Sequence, residues 1–473
     1  MRTYPVYLNG DFIQTKTSVT VTNPATGEPL AHATTIERSS VAEAVTHAHA
    51  AFLEWRKVTP KKRGEWLTRI ANELERRSEE MARTITLENG KPLAQSVAET
   101  SMAIDHLRWF AEEARRGYGR VIPNWAENKR NVAIKVPIGV VGAISPWNFP
   151  MVLGVRKVAP ALAAGCTAIL KPARQTPLSS AIFAECVHAA GLPKGVFQLV
   201  LGNAADIAAE FLENPLCRKI TFTGSTEVGQ SLVRGAAAGL KPLSLELGGH
   251  GPCLVFDDID LDRAIEGVLL AKFRNTGQSC IAANRIYVQS AIYPKFLEHF
   301  TARVKAMKVG DGLDPGVTIG PLIDQRAIEK AEQHVADAVR RGARLLCGGK
   351  SLERPGFFFE PTVLADVAEE ALCSCEETFA PVAPIYSFQT EEEAIRRANN
   401  SPYGLSAYAF TSDLNRAIRL MEGLEAGTLG INDGVPTATQ TPFGGMKMSG
   451  WGRELGTEGM DAFLETKHIS IGL

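Results

Sequence analysis

The sequence has little net charge and no long apolar run. Its 51 lysines and arginines against 52 aspartates and glutamates give a formal net charge of -1. This balance offers no electrostatic basis for binding nucleic acid or an anionic membrane surface. No run of about 18 uncharged apolar residues is present, so the sequence predicts no transmembrane helix. We therefore expect a globular protein without nucleic-acid or membrane partners.

Cysteine is also sparse, with eight residues in a chain of 473. That density is too low for a disulfide scaffold and fits a reduced compartment, so we expect a cytoplasmic location. Cys373 and Cys375 lack the spacing of a zinc site, and no second pair of cysteine or histidine ligands accompanies them. The sequence accordingly predicts no metal site.

What the chain does contain is a repeated alternation of helix-like and strand-like segments. Apolar residues recur at helical spacing over residues 38–118. From Val132, short apolar runs such as 140–144 and 167–170 alternate with helical stretches, which predicts a parallel sheet covered by helices on both faces. A second α/β alternation follows Cys280. Ligands of such sheets bind at the carboxyl ends of the strands, so the loops there are candidate sites.

Three segments carry side chains suited to covalent chemistry on a carbonyl. Cys280 ends the segment Phe-Arg-Asn-Thr-Gly-Gln-Ser-Cys, whose small polar residues fit a loop that presents a thiol. Glu246 lies in Leu-Glu-Leu-Gly-Gly, where apolar neighbours are expected to raise the pKa of its carboxyl toward neutrality. Asn148 supplies an amide from Pro-Trp-Asn-Phe-Pro. Nucleophile, base and oxyanion donor are the three parts that such a reaction needs.

The residues of these three segments, and the order of the segments along the chain, resemble the NAD(P)-dependent aldehyde dehydrogenase superfamily. The resemblance covers nearly the whole chain. It implies an α/β fold with a Rossmann-like parallel-sheet cofactor domain at 1–118 and 138–247 and a second α/β catalytic domain at 248–445. Residues 119–137 and 446–473 would form a small β oligomerisation element. A homodimer or homotetramer is implied in turn.

The resemblance also implies a mechanism. The residue matching Cys280 attacks the aldehyde carbon to form a thiohemiacetal, and hydride loss to the nicotinamide leaves a thioester. Asn148 would stabilise the oxyanion together with the backbone N–H of Cys280, and Glu246 would activate the hydrolytic water. Relatives that pass the acyl group to coenzyme A typically lack this acid, so Glu246 favours release of the free carboxylate. The three intact residues also argue against a catalytically silent structural or binding protein.

A candidate cofactor site lies in Phe222–Gly229, which follows a predicted strand and opens a predicted helix. The N-terminal amides of a helix suit a diphosphate. The residue pattern of this segment departs from the Gly-x-Gly-x-x-Gly fingerprint but matches the resembled family. The resemblance implies cofactor contacts from Gly224, Ser225 and Gly229. The residue matching Ser225 contacts the pyrophosphate there. Trp147 is expected at the same site.

Four further residues match the cofactor site of the resembled family. Lys171 matches the lysine that holds the adenine ribose, and Arg174 occupies the position that helps to choose between cofactors. A glutamate there bonds the ribose 2′-hydroxyl, whereas an arginine can pair with a 2′-phosphate, so NADP is favoured over NAD. Glu377 and Phe379 match the residues at the nicotinamide ribose and ring. Ala380 stands where the family usually has glycine, and its methyl group is expected to shift this loop.

Two arginines are informative about the aldehyde. Arg156 lies eight residues after Asn148, and Arg274 lies six residues before Cys280. Both can therefore face one substrate funnel, and paired guanidiniums suit a carboxylate, sulfonate or phosphonate. Ordinary salt bridges are the alternative role for such arginines.

The surroundings of the two arginines resemble the succinate-semialdehyde dehydrogenase branch, in which both arginines and a serine hold the substrate carboxylate. Thr437 would take the place of that serine, in a loop that is otherwise unlike. Oxidation of succinate semialdehyde is the first expectation. Glutarate semialdehyde, a sulfonated or phosphonated short aldehyde, or a general aldehyde stays open. Ala282 replaces the second cysteine of some members, so their redox-switch disulfide is not expected.

Overall fold

The computed structural model describes residues 1–473. The chain begins with five short strands and continues with four helices, which cover the region of helical apolar spacing. The strands are β1 (Thr3–Tyr4), β2 (Val6–Leu8), β3 (Asp11–Ile13), β4 (Ser18–Thr22) and β5 (Pro29–Thr34). The helices are α1 (Arg38–Trp55), α2 (Pro60–Arg76), α3 (Ser78–Asn89) and α4 (Leu93–Glu113).

A hairpin and then an alternation of strands and helices follow. The strands are β6 (Arg120–Ile122), β7 (Lys129–Pro137), β8 (Val140–Ile144), β9 (Thr167–Lys171), β10 (Phe197–Leu199), β11 (Cys217–Thr223) and β12 (Leu243–Glu246). The helices are α5 (Pro150–Ala164), α6 (Leu178–Ala189), α7 (Ala204–Glu213) and α8 (Thr226–Ala237).

The second alternation builds another set of strands and helices. The strands are β13 (Gly251–Val255), β14 (Ala283–Gln289), β15 (Arg344–Cys347), β16 (Thr362–Ala365), β17 (Val382–Phe388), β18 (Tyr403–Gly404), β19 (Ser406–Phe410) and β20 (Thr428–Ile431). The helices are α9 (Leu261–Phe273), α10 (Tyr293–Lys305), α11 (Gln325–Arg340), α12 (Leu372–Cys375), α13 (Glu391–Asn399) and α14 (Leu414–Gly423). The C-terminal elements are β21 (Met446–Lys447), β22 (Gly450–Trp451), α15 (Glu458–Asp461) and β23 (Leu464–Gly472).

The first large sheet has eight strands in the order β22-β12-β11-β8-β9-β10-β2-β3. The five central strands pair in parallel, as the alternation predicts. Strands from the two ends of the chain extend the sheet antiparallel at both edges. The sequence did not indicate these edge strands, because they are only two or three residues long and no crossover helix accompanies them. Buried clusters cover the sheet on both faces.

The second large sheet has seven strands in the order β15-β16-β17-β14-β13-β19-β20, all parallel except for the edge strand β15. Two further buried clusters pack against it. Helices on both faces of two mostly parallel sheets are the α/β architecture that the sequence predicts. None of the helices has the length and apolar composition that a membrane crossing requires.

A third sheet joins the hairpin to the C-terminus. Strand β23 pairs antiparallel with β7 along its whole length, from Leu464 opposite Pro137 to Gly472 opposite Lys129, and β6 completes the sheet. Apolar side chains along it face solvent, including Val121 and Trp125, each more than four-fifths exposed.

The first large sheet places four predicted site segments side by side. Asn148 follows β8, Lys171 ends β9, Gly224 follows β11 and Glu246 ends β12. These strands are neighbours in register, with Ile144 opposite Lys171 and Thr223 opposite Glu246. The four residues therefore lie along one edge, at the carboxyl ends of parallel strands.

Candidate active site

Cys280 ends a loop with unusual backbone geometry. Asn275 and Thr276 both adopt a left-handed conformation, with φ of 52° and 57°, which costs non-glycine residues about 1 kcal/mol or more each. Gly277 follows with φ of 73°, and a side chain there would meet the carbonyl oxygen of Ala380 at 2.3 Å. Only glycine therefore fits, and the turn leaves the Cys280 thiol partly exposed.

The surrounding segments hold this loop through hydrogen bonds. Gln278 accepts from the backbone N–H of Ile323 (2.9 Å) and donates to the carbonyl oxygen of Pro321 (3.3 Å). Its own carbonyl oxygen accepts from the side-chain amides of Asn275 (3.0 Å) and Asn148 (3.1 Å). Such cross-links offset the backbone strain and fix the thiol relative to Asn148.

Two cavities meet at Cys280. The larger, about 240 Å³, opens toward the ends of β8, β11 and β12. The smaller is about 30 Å³, and Cys280 lines it as well. The residues that line the larger cavity include Trp147, Asn148, Gly224, Ser225, Cys280, Lys330, Glu377 and Phe379. The smaller cavity is lined by residues that include Met102, Phe149, Arg156, Arg274, Cys280, Thr437 and Phe443. Two separate cavities therefore give access to the same thiol, as a two-substrate reaction requires.

The surroundings of Cys280 favour the protonated thiol. Burial, together with the nearby carboxyls of Glu377 and Glu246, raises its pKa to about 12, while Arg156 acts in the opposite direction. A thiolate is the reactive nucleophile, so the proton must leave before the thiol attacks a carbonyl.

Glu246 lies in the same neighbourhood with its carboxyl buried. The side chain is 3% exposed and its Oε2 has no hydrogen-bond partner. Burial raises the pKa of this carboxyl well above its usual range, and the negative charge of Glu454 raises it further. A carboxyl with a raised pKa can accept a proton near neutral pH, as general base catalysis requires.

Two charged residues that the sequence analysis did not assign to the site lie behind Glu246. Lys157 is fully buried and donates to Thr223 Oγ1 (2.7 Å) and to Glu454 Oε1 (2.5 Å). Both Lys157 and Glu454 also act on the pKa of Glu246. Lys157 lies on α5, which is buried at every position. The presence of a lysine in so apolar a helix could have indicated a buried ion pair from the sequence, because lysines are rarely buried unless they are paired.

The segment 222–229 folds as a strand, a turn and the start of α8. Ser225 caps this helix by accepting a hydrogen bond from the backbone N–H of Val228 at 3.4 Å. Gly224 donates its N–H to the carbonyl oxygen of Glu246 at 3.1 Å. A Cβ on Gly229 would come within 2.5 Å of Leu247, so glycine allows α8 to approach the sheet. Gly224 and Ser225, at the start of this helix, line the larger cavity. The amides of a helix N-terminus stabilise an anion, so this end of the cavity suits one.

Lys171 and Arg174 lie at the end of β9 without anionic partners. Lys171 is 8% exposed, and burial lowers the pKa of its amine. Arg174 is exposed and makes no salt bridge or hydrogen bond with any side chain. Two unpaired cations at the carboxyl end of a strand in the same sheet suit a phosphorylated nucleotide.

Glu377 and Phe379 close the larger cavity opposite the first sheet. Glu377 Oε1 accepts from the backbone N–H of Gly249 at 3.2 Å, and burial raises the pKa of this carboxyl to about 7. The Phe379 ring meets that of Trp147 edge-on, at 5.4 Å between centroids. The methyl group of Ala380 is buried in the core cluster of the second sheet and does not line the cavity.

Arg156 and Arg274 line the smaller cavity, and neither forms a salt bridge. The Arg156 guanidinium is buried 4.8 Å from the Phe443 ring centroid, and its nearest polar contact is the Met102 sulfur at 4.0 Å. Arg274 lies 5.1 Å from the ring centroid of Phe149. Burial lowers the pKa of both guanidiniums. The alternative of ordinary salt bridges does not hold in this structure.

Thr437 lines the same cavity from a loop that is tied to α4. Two residues further on, Thr439 is buried and its hydroxyl donates to Asp105 Oδ2 on that helix. Asp105 therefore fixes the loop that presents Thr437, a contact that the sequence did not reveal because the two residues are 334 positions apart.

Comparison with known proteins places these features in a family. The family model described as "Aldehyde dehydrogenase family" matches residues 12–469. The chain is 47% identical over 468 residues to the succinate-semialdehyde dehydrogenase [NADP(+)] GabD of Escherichia coli K12, covering 98% of this chain and 97% of the relative. It is 46% identical to a glutarate-semialdehyde dehydrogenase of Pseudomonas aeruginosa, with the same coverage.

A solved structure described as an E. coli NADP dependent enzyme superposes with a TM-score of 0.98 at 47% identity, covering 100% of this chain and 98% of that one. The match confirms the predicted α/β fold class, and the family match confirms the resemblance stated from the three segments. The chain belongs to the aldehyde dehydrogenase family.

Proposed function

We propose that this NAD(P)-dependent aldehyde dehydrogenase oxidises a short anionic aldehyde, with succinate semialdehyde as the first candidate, to the carboxylate. The observation that carries the proposal is a pair of guanidiniums without salt bridges, the buried Arg156 and the half-buried Arg274, in the cavity that reaches Cys280. Burying a charge without a partner is costly. A substrate carboxylate would supply the missing partner to both arginines.

The lining of the cavity supports a short chain. Arg156 and Arg274 line the same small cavity as Cys280, together with the rings of Phe149 and Phe443. The aldehyde carbon must reach Cys280 while the carboxylate reaches the two arginines at the other end. Relatives named for succinate semialdehyde and glutarate semialdehyde are about equally similar, so the five-carbon homologue is the second candidate.

In the proposed reaction the partly exposed Cys280 thiol first gives up its proton to water, which leaves the thiolate. Sulfur forms a bond to the aldehyde carbon, and the carbonyl oxygen takes up the negative charge of the thiolate. The side-chain amide of Asn148 and the backbone N–H of Cys280 then donate to this oxyanion, and a donor of this kind contributes about 3–4 kcal/mol to lowering the barrier. Bound NAD(P) supplies the hydride acceptor that converts this adduct into a thioester.

Glu246 acts in the second half of the reaction. Its carboxylate takes a proton from water, the resulting hydroxide attacks the thioester carbon, and the bond to sulfur breaks to release the acid and the Cys280 thiolate. The raised pKa of Glu246 makes it a strong enough base near neutral pH. The negative charge of Glu454 raises the pKa of Glu246 and the Lys157 ammonium lowers it, so this buried pair adjusts the strength of the base.

The residues at the sheet edge fit a dinucleotide cofactor. The amides and Ser225 hydroxyl at the start of α8 suit the diphosphate, and Lys171 suits the adenine ribose. Glu377 can accept from the hydroxyls of the nicotinamide ribose, and Phe379 can pack near the ring. Because Arg174 is exposed and unpaired, it is free to pair with a 2′-phosphate, and we place NADP ahead of NAD.

The domain limits and the assembly are further parts of the proposal. The first sheet and its helices, 1–118 with 138–247, bind the cofactor, and 248–445 forms the catalytic domain. Residues 119–137 and 446–473, which share the third sheet, mediate formation of a homodimer or homotetramer. The exposed Val121 and Trp125 support this role, because exposed large apolar side chains mark association surfaces. Eight free cysteines support a cytoplasmic location.

Initial rates of NAD(P)H formation test the proposal. Succinate semialdehyde, glutarate semialdehyde and butanal are each compared with NADP and with NAD. We expect kcat/KM for succinate semialdehyde to exceed that for butanal by roughly 100-fold or more, from the charge-assisted contacts to two arginines. Equal or better use of butanal would contradict the anion pocket, and better use of glutarate semialdehyde would select the second candidate.

A further inference from the structure

A buried polar group adjoins the backbone of the proposed oxyanion donor. The Lys91 ammonium is fully buried and donates to the main-chain oxygen of Asn148 at 2.6 Å. Its second partner is Glu99 Oε2, also at 2.6 Å. The Asn148 oxygen accepts from the Asn275 side chain as well, at 2.8 Å. Two donors from different segments therefore fix the orientation of this peptide group.

The other oxygen of Glu99 holds the next element of the chain. Glu99 Oε1 accepts from the backbone N–H groups of Met151 (3.0 Å) and Val152 (3.3 Å). These amides belong to the first turn of α5 and have no partner within the helix. A carboxylate at this position also interacts favourably with the helix dipole. Glu99 thus immobilises the chain directly after Asn148.

The same stretch of sequence reaches the nucleophile loop. Gln95 Oε1 accepts from the backbone N–H of Asn275 at 2.7 Å. Gln95 and Glu99 are four residues apart on α4 and so lie on one face of it, and Lys91 is four residues before Gln95. Asn275 is the first of the two left-handed residues, so this bond supports the strained turn before Cys280.

We propose that Lys91, Gln95 and Glu99 are positioning residues that set the Asn148 amide against the Cys280 loop for oxyanion stabilisation. None of them lines either cavity, so they act through Asn148 and Asn275. Lys91 also lies 3.9 Å from the ring centroid of Phe149, the residue that Arg274 contacts on the substrate side. The inference rests on the proposed role of Asn148 but not on the identity of the aldehyde.

The test uses the double variant Lys91→Met/Glu99→Gln in the full-length protein. It removes both charges at once, so neither is left buried without its partner. Glutamine keeps an oxygen that can accept from the α5 amides, which favours folding. Ser96→Ala is the matched control, since Ser96 is a buried α4 residue whose hydroxyl bonds only to Thr86, at 2.8 Å.

Four readouts separate positioning from a structural role. Single-turnover NAD(P)H formation should slow roughly 100-fold, as a misplacement of about 1 Å can cause. The KM for the aldehyde should stay within about threefold, because no substrate contact is removed. Alkylation of Cys280 by iodoacetamide should keep its rate, since that displacement forms no oxyanion, whereas hydrolysis of p-nitrophenyl acetate at Cys280 should slow in parallel with NAD(P)H formation. Ser96→Ala should change none of these.

Comparison with Asn148→Ala separates the inference from the function on which it rests. Combined with Asn148→Ala, the double variant should cause little further loss, because both act on one interaction. Fully additive losses, or alkylation slowed as much as ester hydrolysis, would overturn the inference. An unchanged rate for Asn148→Ala alone would instead refute the proposed oxyanion donor. If the double variant does not fold, Gln95→Ala takes its place, with a loss in NAD(P)H formation and unchanged alkylation as the expected result.

Discussion

Replacement of Arg274 by methionine tests the anion pocket directly. The Arg274 side chain makes no salt bridge, and its guanidinium lies over Phe149 at the cavity that reaches Cys280. Methionine fills a similar volume without charge, so the change removes one charge-assisted contact to a substrate carboxylate. Such a contact contributes about 1.5–3 kcal/mol, which corresponds to roughly 10- to 100-fold in kcat/KM.

The same substitution should leave a neutral substrate unaffected or improve its use. Butanal has no anion for Arg274 to bind, and removing a half-buried, unpaired guanidinium makes the cavity more favourable for an uncharged chain. The assay is kcat/KM for succinate semialdehyde and butanal, measured with Arg274→Met, Arg156→Met and the double variant. Because both arginines would hold one carboxylate, their effects should be non-additive.

A buried arginine elsewhere provides the matched control. Arg63 is buried but donates only to the backbone carbonyls of Ala163 (2.8 Å) and Val58 (2.6 Å), away from both cavities. Arg63→Met should lower stability and leave the ratio of the two kcat/KM values unchanged. An equal loss for succinate semialdehyde and butanal in Arg274→Met would refute the reasoning and make Arg274 structural.

Three other substitutions have defined outcomes. Glu246→Gln should preserve the rate of the first turnover and slow the steady-state rate about 100-fold. In the wild-type protein the rate of thioester hydrolysis should rise with pH through the raised pKa of Glu246, since only the deprotonated carboxyl acts as a base. Stopped-flow absorbance measures both rates. Arg174→Gln should shift the ratio of kcat/KM for NADP over NAD toward NAD by roughly tenfold, through loss of a phosphate contact. Gly277→Ala should abolish activity and lower the free energy of unfolding by about 1–3 kcal/mol in urea titrations, because its methyl group would meet the Ala380 carbonyl at 2.3 Å.

The sequence indicated the central strands because their patterns are local. Strand β8 and strand β9 are buried at every position, which gives continuous apolar runs between helix-like segments. The antiparallel edge strands were not predicted, since each is two or three residues long and is defined by its pairing partner. Local periodicity carries no information about such pairing.

The same distinction applies to the site. Cys280, Glu246 and Asn148 lie in distinctive segments, so the sequence identified them as candidates. The pairing of Lys157 with Glu454 joins residues 297 positions apart, and no local pattern in either segment indicates it. Only the structure shows that Arg156 and Arg274 lack carboxylate partners, because the absence of a salt bridge depends on every segment that packs around the two side chains.

Direct detection of the acyl-enzyme is the sharpest test of the account. Glu246→Gln protein is mixed with succinate semialdehyde and NADP, quenched in acid, digested and analysed by mass spectrometry. A thioester requires that Cys280 attacked, that hydride left and that hydrolysis stalled, so we expect a succinyl group on the Cys280 peptide in proportion to the NADPH formed. NADPH formation without a succinyl adduct on Cys280, or with the adduct on another residue, would contradict the proposed covalent mechanism.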